Sequence, residues 1–516
     1  MSNATARRPR WGLVLLAAIL ATSAVAGNLT PTYAASFVVN TTADEDNTDG
    51  DCSLREALRA ANDDVTVDAC GVPGRGADTI NLIPGTYTLS LGELSISDDL
   101  TLRGLPDTFT IIDANESSRV IAITDGSVVH IEHLTVTGGD SGIAAGSGIY
   151  VQDGSLTLTR VKVSNNRPEG GIYLLGPSTL TLAESQIIDN TGPGLYLRSG
   201  VIATVRNSQI SGNTNDSAGG GIFSQGTLEV INSTISGNRT TVNGGGIHVS
   251  GGVTRFYNVT VAANTADSDA TSSTSGGGVS VQGDALLQVR NSIIADNIDA
   301  SGSTKAPDCT GALTSNGYNL IENPTDCAIG GDTTGNLTSI APVLGPLQAN
   351  GGPTLTHALL SGSPAIDAGN PVGCEDQNSV MLSTDQRTFV RTAHCDMGAY
   401  EYDSPGLATA TPTITRTPSS TPAPTRTPTR TPTSSSTPTS SSTALPPPAD
   451  GPPTSTPTAT ATTSPPPADG PPISTPTATA TTSPPPADGP PIFSPTATPD
   501  SNTTAVPALY LPLLRR

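Results

Sequence analysis

Tryptophan is almost missing. The single Trp in 516 residues is Trp11, within an apolar leader, so the chain beyond that leader has no indole to serve as a flat sugar-stacking platform. Aromatic residues are only 3% of the sequence and charged residues 13%. Basic residues are few, 24 Lys and Arg against 45 Asp and Glu. The resulting formal charge of −21 argues against nucleic acid as a partner and favours cations or basic surfaces. Long apolar runs are absent apart from "WGLVLLAAILATSAVA", Trp11–Ala26, which follows Arg7, Arg8 and Arg10. That run is short for a membrane span and ends in small residues. It reads as a signal peptide, residues 1–26, with a later cleavage near Ala34 or Ala35 as the alternative. No transmembrane segment is expected in the mature chain. The six cysteines lack the close ligand spacing of a zinc site. They fall into three local couples, Cys52/Cys70, Cys309/Cys327 and Cys374/Cys395. Export permits oxidation, and local pairing is the simplest of the connectivities that remain open.

What the sequence has is a repeat. An aliphatic residue followed three positions later by Asn recurs, ending at Asn166, Asn190, Asn213, Asn238, Asn264 and Asn297. The intervals are 24, 23, 25, 26 and 33 residues. Registered on that Asn, position −3 is Val163, Ile187, Ile210, Ile235, Val261 or Ile294, and positions −8 and −10 are nearly all apolar. The alternation between −10 and −8, as in Leu156-Thr157-Leu158, marks short half-buried strands. Position −6 is Asn207, Asn232, Asn258 and Asn291 in the later copies but Arg160 and Glu184 in the first two. Asparagine accepts a left-handed backbone, and its amide can bond a like amide above and below. A Gly-Gly-Ile or Gly-Gly-Val element after each variable loop is expected to form a second corner, through positive φ. Strand, Asn turn, strand, loop, Gly corner, strand describes one coil of a parallel β-helix, in which no unit folds alone. The expectation is an all-β, right-handed parallel β-helix of the pectate-lyase type, with a short N-terminal capping helix. Residues 78–300 hold roughly nine coils at about 4.8 Å each.

Three stretches carry family resemblances. Gly-Gly-Gly-Ile followed by an apolar-x-x-Asn resembles the paired motifs of chlamydial polymorphic outer-membrane proteins, which are surface-exposed β-helical adhesins. This chain has Ile or Val where that family usually has Phe. "DCSLREALRAAN", Asp51–Asn62, resembles the CSLREA motif of secreted bacterial repeat proteins and assigns 36–77 to an N-terminal cap. There Ser53 and Glu56 form a capping box, and Leu54, Ala57, Leu58 and Ala61 one apolar face. "GPLQANGGPTLTHALLSGSPAIDAG", "STDQR" and "CDMGAYEY", all within 345–402, resemble the choice-of-anchor Q domain and imply a C-terminal cap over 301–403. Residues 404–505 are rich in Thr, Pro and Ser and repeat "PPPADGPP" from Pro446, Pro465 and Pro484, a disordered stalk by composition. Residues 506–516 form a short apolar-basic tail, similar to sorting tails after such stalks.

The candidate sites are few. "DEDNTDGD" offers Asp44, Asp46, Asp49 and Asp51 as a calcium loop, although its spacing misses the EF-hand pattern, and calcium is the one cofactor suggested. Tyr150, Tyr173, Tyr196, Phe223 and His248 follow the Gly corners and predict an outward aromatic ladder for a glycan. Arg160-Val161-Lys162 matches a glycosidase-type Arg-x-Lys, but no Gly-His-Gly and no aspartate pair stands beside it. His130 and His133 have no third ligand. The loops between marker Asn and Gly corner lengthen along the chain, which points to one partner-binding face. The reading is a non-catalytic bacterial β-helix, monomeric, secreted or cell-surface. It would contact an envelope or extracellular glycan or protein in adhesion or envelope structure. The alternative is a polysaccharide lyase or glycoside hydrolase of the pectin-lyase-like superfamily.

Overall fold

The computed structural model describes residues 33–404 apart from 143, 271–275 and 302–304. The expected signal peptide, the stalk beyond Ser404 and the tail lie outside the described residues. The chain winds as a parallel β-solenoid of about nine turns. One coil shows why. Strand Ile149–Gln152 turns at Asp153, strand Ser155–Thr159 turns at Arg160, and strand Lys162–Ser164 runs into Asn166. Each strand pairs in parallel with its counterpart one coil on: Ile149 with Ile172, Leu156 with Leu180, Val163 with Ile187. Strands of the Lys162–Ser164 type stack into an 11-stranded sheet from Gly85–Thr88 to Leu337–Thr338, so the coils run on past residue 300. Inward aliphatics such as Ile149, Leu156, Leu158 and Val163 are fully buried and form one continuous core. Each such burial stabilises by roughly 1.5–3 kcal/mol.

The two asparagine columns do different work. At −6 the backbone is left-handed throughout, from Arg160 (φ 55°) and Glu184 (φ 49°) to Asn207 (φ 52°) and Asn291 (φ 49°). At the marker position the side chains form a buried ladder. The Nδ2 of Asn166 donates to Oδ1 of Asn190 at 2.9 Å, Asn190 to Asn213 at 2.9 Å, and the series continues through Asn238 and Asn264 to Asn297. Each Oδ1 also accepts the backbone N–H of the preceding ladder residue, at 3.1 Å for Asn166 onto Asn190. Asn297 donates to Asp308, whose carboxylate ends the ladder at 2.9 Å.

The Gly corners serve this ladder by two means. The first glycine, Gly219 in one coil, has φ +79°, as the sequence reading expected. The last one does not. A Cβ on Gly221 would stand 2.5 Å from the carbonyl oxygen of Gly246 and 2.8 Å from Nδ2 of Asn238. Gly194 and Gly246 face Asn213 and Asn264 in the same way. That glycine is required for close approach to the ladder, not for positive φ. The variable loops are also more ordered than free insertions. Thr214–Asn215, Arg239–Thr240, Thr265–Ala266 and Ile298–Asp299 pair into a four-stranded sheet of their own.

At the N-terminal end, helix α1 (Leu54–Asp63) starts at Ser53 with the full capping box to Glu56 and stops at left-handed Asp64. Its buried face includes Leu54, Ala57, Leu58 and Ala61, and it packs on strands Asp78–Asn81 and Leu94–Ile96. Disulfides join Cys52 to Cys70, Cys309 to Cys327 and Cys374 to Cys395. The region expected to close the other end divides. Residues Cys309–Thr338 add further parallel strands. Residues 344–402 instead lie along the flank of the 11-stranded sheet. Gln186 reaches Pro353 O at 3.1 Å, Leu355 N reaches Gln209, and Thr234 Oγ1 reaches Gln386 Oε1 at 2.6 Å. Arg391 donates to Asn232, and Asn370 N donates to Asn291 Oδ1. Within this cover Arg387 pairs with Asp385 and Arg391 with Glu401, all nearly fully buried. The Arg387 guanidinium lies 3.6 Å from the Tyr400 ring centroid. The residues of "STDQR" and "CDMGAYEY" are thus spent on holding the cover together and onto the coils.

Two predictions follow from the ladder. Asn213→Ala removes the acceptor of two N–H groups and the donor to Ile187 O, and is expected to cost on the order of 2–4 kcal/mol in urea unfolding. Asp308 is driven up to about 6, chiefly by burial. Its folded pKa exceeds its unfolded value, so its contribution is fully present below the unfolded pKa and is lost as pH rises through about 6. The stability difference between wild type and Asp308→Asn is therefore expected to change by on the order of 1 kcal/mol between pH 5 and pH 7.

Candidate functional site

The acidic loop does not assemble as the sequence suggested. Asp44 forms an ion pair with Arg55 at 2.7 Å and accepts the N–H groups of Ser90 and Leu91. Burial raises its pKa, but Arg55 and those two N–H groups together outweigh burial and hold it below the ordinary value. Asp46 pairs with Arg59. Asp49 and Asp51 meet Glu45 instead, with carboxylate oxygens within 4.8 Å of one another. Glu45 was missed because its side chain joins the set only once the loop folds back on α1, where Ser53 Oγ donates to Glu45 O. Asp51 Oδ1 is buried without a hydrogen-bond partner. Desolvation and the neighbouring carboxylates raise both Glu45 and Asp51 above their ordinary values. Acceptor-only oxygens in that arrangement suit a hard divalent cation.

The aromatic ladder forms. Tyr173 and Tyr196 stack with centroids 4.6 Å apart and planes at 9°, and Tyr196 and Phe223 stack at 4.6 Å and 19°. Tyr150 and His248 flank them at 6.2 and 5.6 Å with tilted rings. Arg119 lies 4.6 Å from the Tyr150 centroid and Arg198 lies 6.0 Å from that of Tyr196. The central rings therefore spend their faces on one another, and the tyrosines are half-buried. His248 is 3% exposed and meets Ser280 Oγ at 3.2 Å. Burial holds its pKa below the ordinary imidazole value.

Arg160 and Lys162 do not share a partner. Arg160 pairs with Glu184 at 2.8 Å across one coil, whereas Lys162 has no ion pair among the described residues. Both line an open groove of about 300 Å³ with His133, Phe109 and Pro353. A second groove, of about 630 Å³, is lined by Asp296, Asp308 and Glu322. Both oxygens of Asp308 are occupied there, Oδ1 by Asn297 and Oδ2 by the N–H of Asn323 at 2.6 Å. Sequence reasoning missed Asp308 because it stands only 11 residues after Asn297, out of phase with the repeat.

Residues 109–266 match the family model of the right-handed β-helix region. The fold defines the class as a right-handed parallel β-helix. No curated protein matches the chain. Among solved structures, a pectate lyase, Pel9A, aligns at 15% identity with a TM-score of 0.40, covering 72% of this chain and 97% of that one. Jun a 1, the major allergen from cedar pollen, aligns at 11% identity with a TM-score of 0.31, covering 60% of this chain and 79% of that one.

The ladder geometry predicts a packing role. Tyr196→Ala removes two stacked contacts and is expected to lower stability by about 1–3 kcal/mol, read as a fall in the unfolding midpoint.

Proposed function

We propose that this is a non-catalytic, exported β-helix protein held at or near the cell surface, where its coils contact an envelope or extracellular glycan or protein. The observation that carries this reading is the commitment of its ionisable groups. Asp44, Arg160, Asp385, Arg387 and Arg391 are each locked to an oppositely charged neighbour. The acids driven furthest upward, Asp308 to about 6 and Asp396 to about 7, have backbone and side-chain donors filling their oxygens. An acid or base that must exchange a proton with substrate needs a free lone pair or proton facing it. Three disulfides support an oxidising compartment. The aromatic ladder on this reading ties coils together and presents only ring edges and hydroxyls. Glu45, Asp49 and Asp51 are its calcium set, a stabiliser of the N-terminal cap and not a catalytic centre.

A second reading, glycoside hydrolase, is favoured by one feature: Asp296, Asp308 and Glu322 share a groove. The test separates the two. The mature chain is applied, with calcium, to neutral and acidic polysaccharides, and both retention and newly formed chain ends are recorded. Retention without new ends is expected. New ends that vanish in Glu322→Gln would establish the hydrolase instead. Calcium is expected to raise the unfolding midpoint of wild type by a few degrees and that of Glu45→Gln much less, since binding to the folded state alone stabilises it.

A further inference from the structure

The C-terminal cover stops short. Along the outward column of the 11-stranded sheet, Thr135, Lys162, Gln186, Gln209, Thr234 and Thr260 stand in register one coil apart. From Gln186 onward each is hydrogen-bonded to the cover, through Pro353, Leu355, Gln386 and Ala399 in turn. Lys162 and Thr135 have no such partner. They open instead into the groove of about 300 Å³, with Pro353 as one wall and the loop Leu105–Phe109 lining it as well.

The left-handed column changes character one coil further on, between Glu184 and Asn207. Beneath the cover it is Asn232, Asn258 and Asn291, whose amides bond cover residues. In the open groove it is His133, Arg160 and Glu184, with φ of 56°, 55° and 49°. Arg and Glu are poorer left-handed residues than Asn, so the turn alone does not select them. The groove also holds apolar surface that folding leaves unspent. Phe109 is 69% exposed and Leu105 48% exposed, in a chain poor in aromatics.

We propose that this groove binds an acidic saccharide, with a uronate carboxylate on Lys162, the sugar's C–H face on Phe109, and ring hydroxyls read by Gln186 Oε1 and His133. A sugar fits better than a peptide because the groove floor is the outer face of a sheet. It offers side chains and no free strand edge, so an extended peptide has no backbone ladder to join. Among the described residues Lys162 is the groove's unpaired cation and lies near an exposed aromatic ring, and with Asp107 in the same lining it matches one carboxylate, not several, on a hydroxyl-rich ring. The site is separate from the tyrosine ladder. The inference rests on the non-catalytic glycan-contact reading and gives it a place.

The test measures binding of the mature full chain to polygalacturonate, to dextran and to poly-glutamate by calorimetry, with chain-end release followed in parallel. Polygalacturonate binding is expected to weaken by about tenfold in Lys162→Gln and in Phe109→Ala, and to be unchanged in Tyr173→Ala. Its salt dependence is expected to flatten in Lys162→Gln. Both groove residues are at least partly exposed, and unchanged melting points in the two variants confirm that folding is intact. Polygalacturonate bound equally by wild type and both groove variants would overturn the site while leaving the glycan-contact reading in place. Equal binding of dextran, or binding of poly-glutamate in preference, would overturn the acidic-saccharide assignment. Chain-end release would overturn the non-catalytic reading independently of the groove variants.

Discussion

An amide ladder seated against a column of glycines is the constraint on which the rest of this molecule depends. Each marker asparagine is fully or almost fully buried, and its amide must find partners in a dry interior. It does so by donating to the next amide and to a backbone carbonyl, as Asn238 does to Asn264 and to Ile210 O. The geometry leaves no room for a side chain on the corner that faces it, hence Gly221 over Asn238 and Gly246 over Asn264. Asparagine and glycine therefore recur together as the two halves of one contact. The aliphatic columns stack because the ladder keeps successive coils in register, and the core they form repays the ordering of the chain.

A ladder of this kind must also end. Here it ends on a carboxylate, Asp308, which accepts from Asn297 and from Asn323 and donates nothing. Ionised, it satisfies the last amide without needing a further acceptor, but burial makes the charge costly and raises its pKa to about 6. The end of the ladder is thereby a titratable element in an otherwise neutral interior column.

The C-terminal segment shows how a second layer can use a repeat for purposes the repeat does not need. Residues 344–402 read the outward columns of the coils, taking Gln209, Thr234, Thr260 and the left-handed asparagines as docking points. Its own interior is held by buried Asp385–Arg387 and Arg391–Glu401 pairs, each fully hydrogen-bonded on the carboxylate side. Such pairs contribute orientation more than net stability. By covering some coils and not others, this segment leaves the groove that holds Lys162 and Phe109.

What could be read from residues alone was the coil. Periodic aliphatics, Asn at fixed offsets, glycine corners and the Ser53–Glu56 capping box are local or nearest-neighbour features, and each coil contacts chiefly its own neighbours, so spacing translates directly into structure. The local cysteine couples follow the same logic. Contacts between distant segments were not legible. The pairing of Asp44 with Arg55 and the meeting of Glu45 with Asp49 and Asp51 depend on how one loop folds against α1 and the first coils. The stacking of Tyr173 on Tyr196 was implied by register, but that the faces are mutually occupied required the distance. The cover's path along the flank, and with it the difference between Lys162 and Gln186, joins residues 167 apart in sequence at Gln186 and Pro353. The sequence by itself determined the repeat, its corners and its core, because those obey a fixed period. Tertiary structure alone decided which surface stays open, because that depends on where an aperiodic segment comes to rest.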